Sequence, residues 1–381
     1  MRLSQNTLVI IILFLTLTAC NNDASSAVYP PDPETMFQEW SISAGRPFNH
    51  PPLPLGNQII VVPEQGPLLA LDAATGDINW QYDPPGRIWD RAYASDGEQV
   101  FVGIEGGQLV ALDANGGDVR WQADLGINSQ HPSLVAGDLL YVPTTFVGPG
   151  LTPEPESKAK LFILNRQDGS VEWVFESDNY ILQTPFRYED NLYVAGLFYD
   201  PEPVKEGGHT RLYALSPDGR NVKWTYEAED GFPKGVYATN TAVTFVGYRD
   251  FITGIDAATG QQVWKKDTAN WIPSLTGIND TVYFGSANTQ VHALNIGSGD
   301  VEWQHNIPKG TFNYLLGAPT YVEGKLYFLT QHGDIMALDA QSGELLWQYP
   351  TGITSRVGLA VGYGRLFIGD AEGNVYAYGS E

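Results

Sequence analysis

The side chains able to do covalent or metal chemistry in this 381-residue sequence are not grouped. Cys20 is its only cysteine, so a thiol pair, an internal disulfide and a cysteine zinc site are excluded. The six histidines, His50, His131, His209, His292, His305 and His332, are scattered, and none has a partner at metal-ligand spacing. No G-x-S-x-G, H-E-x-x-H or P-loop string occurs. Carboxylates are too numerous for any pair to stand out: 44 Asp and Glu face 21 Lys and Arg, a net charge of −23. A field of that sign repels phosphate backbones and argues against nucleic-acid binding. A recurring Asp-x-x-x-Gly string could suggest a metal loop, but it lacks the alternating acids and distal Glu of a calcium loop, so turn capping is the better reading. The expectation is no catalytic residue and no metal.

What remains is recognition chemistry. Phe48, Trp89, Tyr180, Phe232, Trp271 and Phe312 fall in connecting segments, as do Arg46, Arg87, Arg91 and Arg356. Aromatic and Arg side chains are the usual anchors of binding surfaces. The candidate partner or ligand face is therefore Phe48, Trp89, Arg91, Tyr180, Phe232, Trp271, Phe312 and Arg356. The alternative is that these aromatics plug a channel mouth or pack the loops.

The elements that must position them repeat. One string recurs seven times without a gap, from LLALDAATGDINW ending at Trp80 to IMALDAQSGELLW ending at Trp347. Ala70, Ala111, Ala214, Ala293 and Ala337 stand ten residues before their Trp, and Ile163 and Gly254 replace Ala in the other two copies. The alternating, β-branched first part is a strand. Asp-x-x-Thr-Gly is a hairpin turn, with Asp bonding nearby amides and Gly supplying positive φ. The fourth copy departs, with Gly219 one position early. A second hairpin precedes each copy, so a unit holds four strands, a to d. Trp-to-Trp spacings of 41, 52, 51, 40, 39 and 44 fit blades of a β-propeller. The C-terminus supplies strands a to c of one more blade. The segment around Trp40 supplies its missing strand d, which removes two unpaired sheet edges. The prediction is an all-β, eight-bladed propeller of four-stranded antiparallel blades over 37–381, closed by pairing of the two chain ends.

In such blades the a–b and c–d turns share one face, and the b–c loops and d–a connections share the other. Two b–c loops, Thr144–Lys160 and Gly196–Thr210, are enlarged, and long loops are commonly functional or disordered.

The first residues are a separate object. Arg2 precedes an apolar run, Leu8–Leu17, too short for a membrane span and right for a signal-peptide core. Leu17-Thr18-Ala19-Cys20 resembles the bacterial lipobox, which implies a signal peptide over 1–19 and lipidation of Cys20. Residues 20–36, with Pro30, Pro31 and Pro33, read as a flexible tether. The implied location is extracytoplasmic and lipid-anchored: the outer membrane in a two-membrane organism, the outer leaflet in an organism with one.

The A-x-D-x-x-T-G-x-x-x-W string resembles the repeat of the pyrroloquinoline-quinone (PQQ) propeller family over 37–381. That resemblance implies a structural girdle tying blade to blade, formed by Trp40, Trp80, Trp121, Trp173, Trp224, Trp264, Trp303 and Trp347. The family's dehydrogenases carry adjacent cysteines and a calcium site, neither of which matches here, so PQQ and calcium are not expected. Size, lipobox and eight lean blades are instead similar to the family's small lipoproteins of outer-membrane protein assembly. The reading is a non-enzymatic, monomeric scaffold for envelope proteins. A propeller binding a quinone or sugar in its funnel, or an oxidoreductase retaining PQQ, are the alternatives.

Overall fold

Each Asp-x-x-x-Gly turn is closed as its residue types demand. The computed structural model describes residues 30–146, 158–179, 181–198, 209–228, 233–247, 251–268, 271–307, 315, 317–355 and 357–380. In the first turn, Asp72 Oδ1 accepts the backbone N–H groups of Ala74 and Thr75, both at 2.9 Å. Gly76 takes φ +78° and donates its N–H to the Asp72 carbonyl at 2.9 Å. Asp113, Asp256, Asp339 and, as an amide, Asn295 repeat the arrangement. In Asp256 the bond from the Thr259 hydroxyl, with the backbone amides, holds the carboxyl below its usual range.

Such turns join strands c and d in seven of eight sheets, each ordered a-b-c-d, and the described residues contain no helix. Blade 2 is representative: Ile88–Ser95, Gln99–Ile104, Gln108–Asp113 and Val119–Asp124. Strand b is buried throughout, because each blade is sandwiched between two others, whereas strand d of blade 2 exposes most of its residues. Blade 4 differs. Its strand a is broken into Ile181–Leu182 and Phe186–Tyr188, both paired with Asn191–Phe198.

The ring closes as the sequence predicted. Met36–Ser43 pairs antiparallel with Asn374–Ser380, placing Trp40 opposite Ala377. Glu39 accepts from Arg365 across the seam, with both side chains largely buried. The strand starts at Met36, one residue before the expected boundary, and Pro31, placed in the tether by sequence, is also buried.

The girdle is a three-part lock. Trp40, Trp80, Trp121, Trp224, Trp264 and Trp303 each donate an indole N–H, at 2.9–3.2 Å, to a carbonyl in the c–d turn of the next blade. The ring lies against that turn's glycine: a Cβ on Gly76 would sit 2.7 Å from Trp40 Cε3. In its own blade it lies against the Ala position of strand c, because at Gly254 an added Cβ would strike Trp264. Trp173 and Trp347 make no such hydrogen bond. For Trp347 the reason is topological. The next blade is the closing one, where the two chain ends replace the c–d turn, and Met36 joins the apolar cluster beside the ring.

Candidate functional site

Strands a are short and line the axis. They enclose a channel cavity of about 520 Å³, bordered among others by His50, Asp96, Ser133, Gln183, Lys234 and Ser274. Arg166 reaches it from the c–d turn of blade 3. Asp96 is almost fully buried and is held by the Arg166 guanidinium and by the N–H groups of Glu98 at 2.9 Å and Gln99 at 2.7 Å. At His50, the Tyr93 hydroxyl lies 2.9 Å from Nδ1 and 3.0 Å from the Pro51 carbonyl. Burial raises the Tyr93 hydroxyl far above its usual range, which keeps it a proton donor. Gln183 Nε2 lies 3.3 Å from His131 Nε2.

This lining does not fit a calcium–quinone pair. Among the described lining residues Asp96 is the only carboxylate, and its oxygens are occupied. The other charged lining groups, Arg166 and Lys234, are cationic and oppose a divalent cation. Among the described residues no three His, Cys, Asp or Glu side chains converge as a metal site.

The predicted partner face is described only in part. The d–a connections do share a face with the b–c turns: Glu105 N–H bonds the Arg87 carbonyl at 2.8 Å, and Ala287 N–H the Trp271 carbonyl at 2.9 Å. Phe48, a candidate anchor of that face, instead takes the alternative role of packing beneath it. It is 1% exposed and packs with Ile59, Val61 and Phe367, because Gly369 leaves room for its ring. Trp89 was expected in a connection but is the second residue of strand a of blade 2; it is half-buried, with the Arg87 guanidinium 5.0 Å from its ring centre, and its indole N–H is buried without an acceptor among the described residues. Trp271 is half-buried beneath Lys234 Nζ at 4.0 Å. Cation and ring are thus adjacent in two blades. The Arg91 side chain, Tyr180, Phe232, Phe312, Arg356 and Cys20 lie outside the described residues, as do the centres of both enlarged loops.

The roots of those loops are tied together. Asp178 pairs with Lys158 at 2.5 Å and with Arg211 at 3.0 Å, and Arg211 also pairs with Glu227. The Leu182 N–H donates to the Thr144 carbonyl at 3.1 Å, linking blade 4 to the loop of blade 3. The sequence reading missed the channel residues His50, Asp96, Arg166, Gln183 and Lys234. The signal was present in the short runs HPSL, TPFR and IPSL, whose common position marks strand a.

Eight four-stranded blades, a Trp–Gly girdle and an axial channel define a β-propeller of the PQQ-like repeat class. A family model described as outer membrane protein assembly factor BamB matches residues 22–131, 86–179 and 248–381, most of the chain, and the chain belongs to that family. The BamB of Shewanella oneidensis is 30% identical over 139 residues, covering 32% of this chain and 34% of that protein. The matched stretch therefore spans about a third of that relative's length. The crystal structure of BamB from Moraxella catarrhalis superposes with a TM-score of 0.63 at 21% identity, over 91% of this chain and 98% of that one. The quinohemoprotein alcohol dehydrogenase of Comamonas testosteroni gives 0.67 at 14% identity, over 91% and 77%. At those identities the likeness is one of fold.

Proposed function

We propose that this chain is a non-enzymatic scaffold of the bacterial cell envelope, anchored through a lipid on Cys20 and serving outer-membrane protein assembly. The observation that carries the reading is the match of the assembly-factor family model along most of the ring. The channel chemistry supports it, because among the described lining residues Asp96 is occupied and the other charged groups, Arg166 and Lys234, are cationic, which disfavours a calcium–quinone pair. The paired Arg87–Trp89 and Lys234–Trp271 contacts make the d–a face the candidate docking surface. The test is crosslinking of the tagged chain in native membranes, followed by identification of what it captures. Specific envelope proteins should be recovered, and the Trp89→Ala, Trp271→Ala double variant should lose them while retaining its fold. Recovery no better than from an untagged control would overturn the proposal.

The channel favours a second reading, a small polar ligand held by His50, Gln183, Arg166 and Lys234. It would announce itself as a Tm that climbs with ligand concentration.

A further inference from the structure

Every large apolar side chain exposed among the described residues lies on strand d, the outer edge of a blade. They are Phe37, Ile78, Val119, Val171, Trp173, Val222, Val263, Val301, Leu345 and Leu346, each 38–59% exposed. Strand d is last in the pairing order of each sheet, so one row of its N–H and C=O groups has no strand partner within the ring. Such edges template the pairing of another chain unless they are guarded, most often by charge.

The eight edges are not guarded alike. In blades 2 to 6 each strand d carries charge: Arg120 and Asp124, Glu172 and Glu176, Lys223 and Glu227, Lys265 to Asp267, and Glu302. In blade 7 it is Leu345–Pro350, LLWQYP, and in blade 1 Ile78–Tyr82, INWQY, with no charged residue in either. Between them lies the closing blade, Met36–Ser43, whose single charge, Glu39, is turned to Arg365 and largely buried. Three consecutive strands d thus carry no exposed charge on a chain of net charge −23, their exposed residues being apolar or neutral polar, with Asp77, Asp83 and Glu344 just beyond the strand ends.

We propose that the outer edges of blades 7, 8 and 1 form a docking arc for an extended, uncharged segment of another protein, with alternating apolar and polar residues, added as a further strand. Main-chain hydrogen bonds would supply affinity, and Leu345, Leu346, Phe37 and Ile78 the apolar contacts. A charged segment would lose solvation there without gaining an ion pair, whereas on blades 2 to 6 the charged side chains obstruct an uncharged one. The inference rests on the scaffold reading and adds to its d–a face a second docking surface, on the outer rim of the ring.

The test uses the mature chain and a fluorescein-labelled, end-capped eight-residue peptide of alternating Val and Thr, followed by fluorescence anisotropy. The Phe37→Lys, Ile78→Lys, Leu345→Lys triple variant should weaken binding at least tenfold. The Val171→Lys, Val222→Lys variant, on edges already charged, should leave it unchanged. All five sites are exposed, and circular dichroism with thermal unfolding checks that both variants fold. A peptide N-methylated at alternate residues should fail to bind. The proposal is overturned by absence of binding, by equal loss in both variants, or by undiminished binding of the methylated peptide. It is also overturned if sedimentation shows that a second copy of the chain occupies the arc and that the triple variant releases it. Capture from native membranes separates the two readings. Peptide binding without captured envelope proteins sinks the scaffold alone, and capture indifferent to the triple variant sinks the arc alone.

Discussion

At the junction of blades 1 and 2, Trp80 lies over Gly117 and donates its indole N–H to the Ala114 carbonyl at 3.1 Å. At the junction of blades 3 and 4, Trp173 does neither. It is 38% exposed, with the Arg220 guanidinium 4.6 Å from its ring centre. Three local departures coincide there. Ile163 stands where Ala lines the slot in strand c. The turn glycine, Gly219, comes one residue early, and an added Cβ would strike Ile163 Cδ1 first, with Trp173 Cδ1 back at 3.5 Å. Tyr141, in strand b of blade 3, donates its hydroxyl to the Pro217 carbonyl at 2.8 Å. A larger side chain has thus filled the slot, the indole has moved outward, and a phenol has taken the hydrogen bond. The girdle is therefore a slot of fixed volume with one acceptor, and the Trp is one way to fill it.

Removing the ring should separate the two junctions most. Trp80→Ala takes away a buried aromatic together with the bond to Ala114, and should cost about 3–5 kcal/mol. Trp173→Ala removes an exposed ring and should cost roughly 1 kcal/mol or less. Urea midpoints would read the difference, and equal losses would break the comparison. Filling the slot from the other side comes next. In Gly117→Ala the new methyl would sit 2.8 Å from Trp80 Cδ2 at φ +75°, combining overpacking with left-handed strain, about 2–4 kcal/mol. Gly219→Ala carries the same backbone strain at φ +72°, but its methyl meets the movable end of Ile163, so about 1–2 kcal/mol is expected.

This contrast also marks what could be read before the structure. The ring was legible because its blades share a gapless motif in which turn, slot and indole are fixed by spacing, and the closing strand was legible because Trp40 stands one period before Trp80. The irregular junction was half legible: Ile163 and the early Gly219 are visible in sequence, but their joint consequence depends on how neighbouring blades meet. Tyr141 gave no signal, because its acceptor lies 76 residues away. The channel was obscure for a different reason. Strands a are as short as two or three residues, and the short Pro-containing runs that mark them do not say which neighbours meet across the axis, so His50, Asp96 and Lys234 converge only once the ring exists. Which of its two readings Phe48 would take was not legible, because its place in a connection says nothing about depth, which Gly369 determines from the far end of the chain.

The smallest expected effect isolates the substituted hydrogen bond. Tyr141 and Tyr193 occupy the third position of their strand b, and both are buried. In blade 4 the Tyr193 ring tilts against its own Trp224, with centres 5.9 Å apart, and its hydroxyl is buried without an acceptor among the described residues. In blade 3 the Tyr141 hydroxyl is spent on Pro217, in the position the other blades give to an indole N–H. Tyr141→Phe should therefore strand that carbonyl and destabilise by about 1 kcal/mol. Tyr193→Phe discards a buried group that bonds nothing and should be neutral or slightly stabilising. The two variants differ from the parent by the same single oxygen, so packing changes cancel and the difference in urea midpoint reports the bond alone. If Tyr141→Phe were as silent as Tyr193→Phe, the phenol would not be standing in for the indole, and the blade 3–4 junction would be held by Ile163 packing alone.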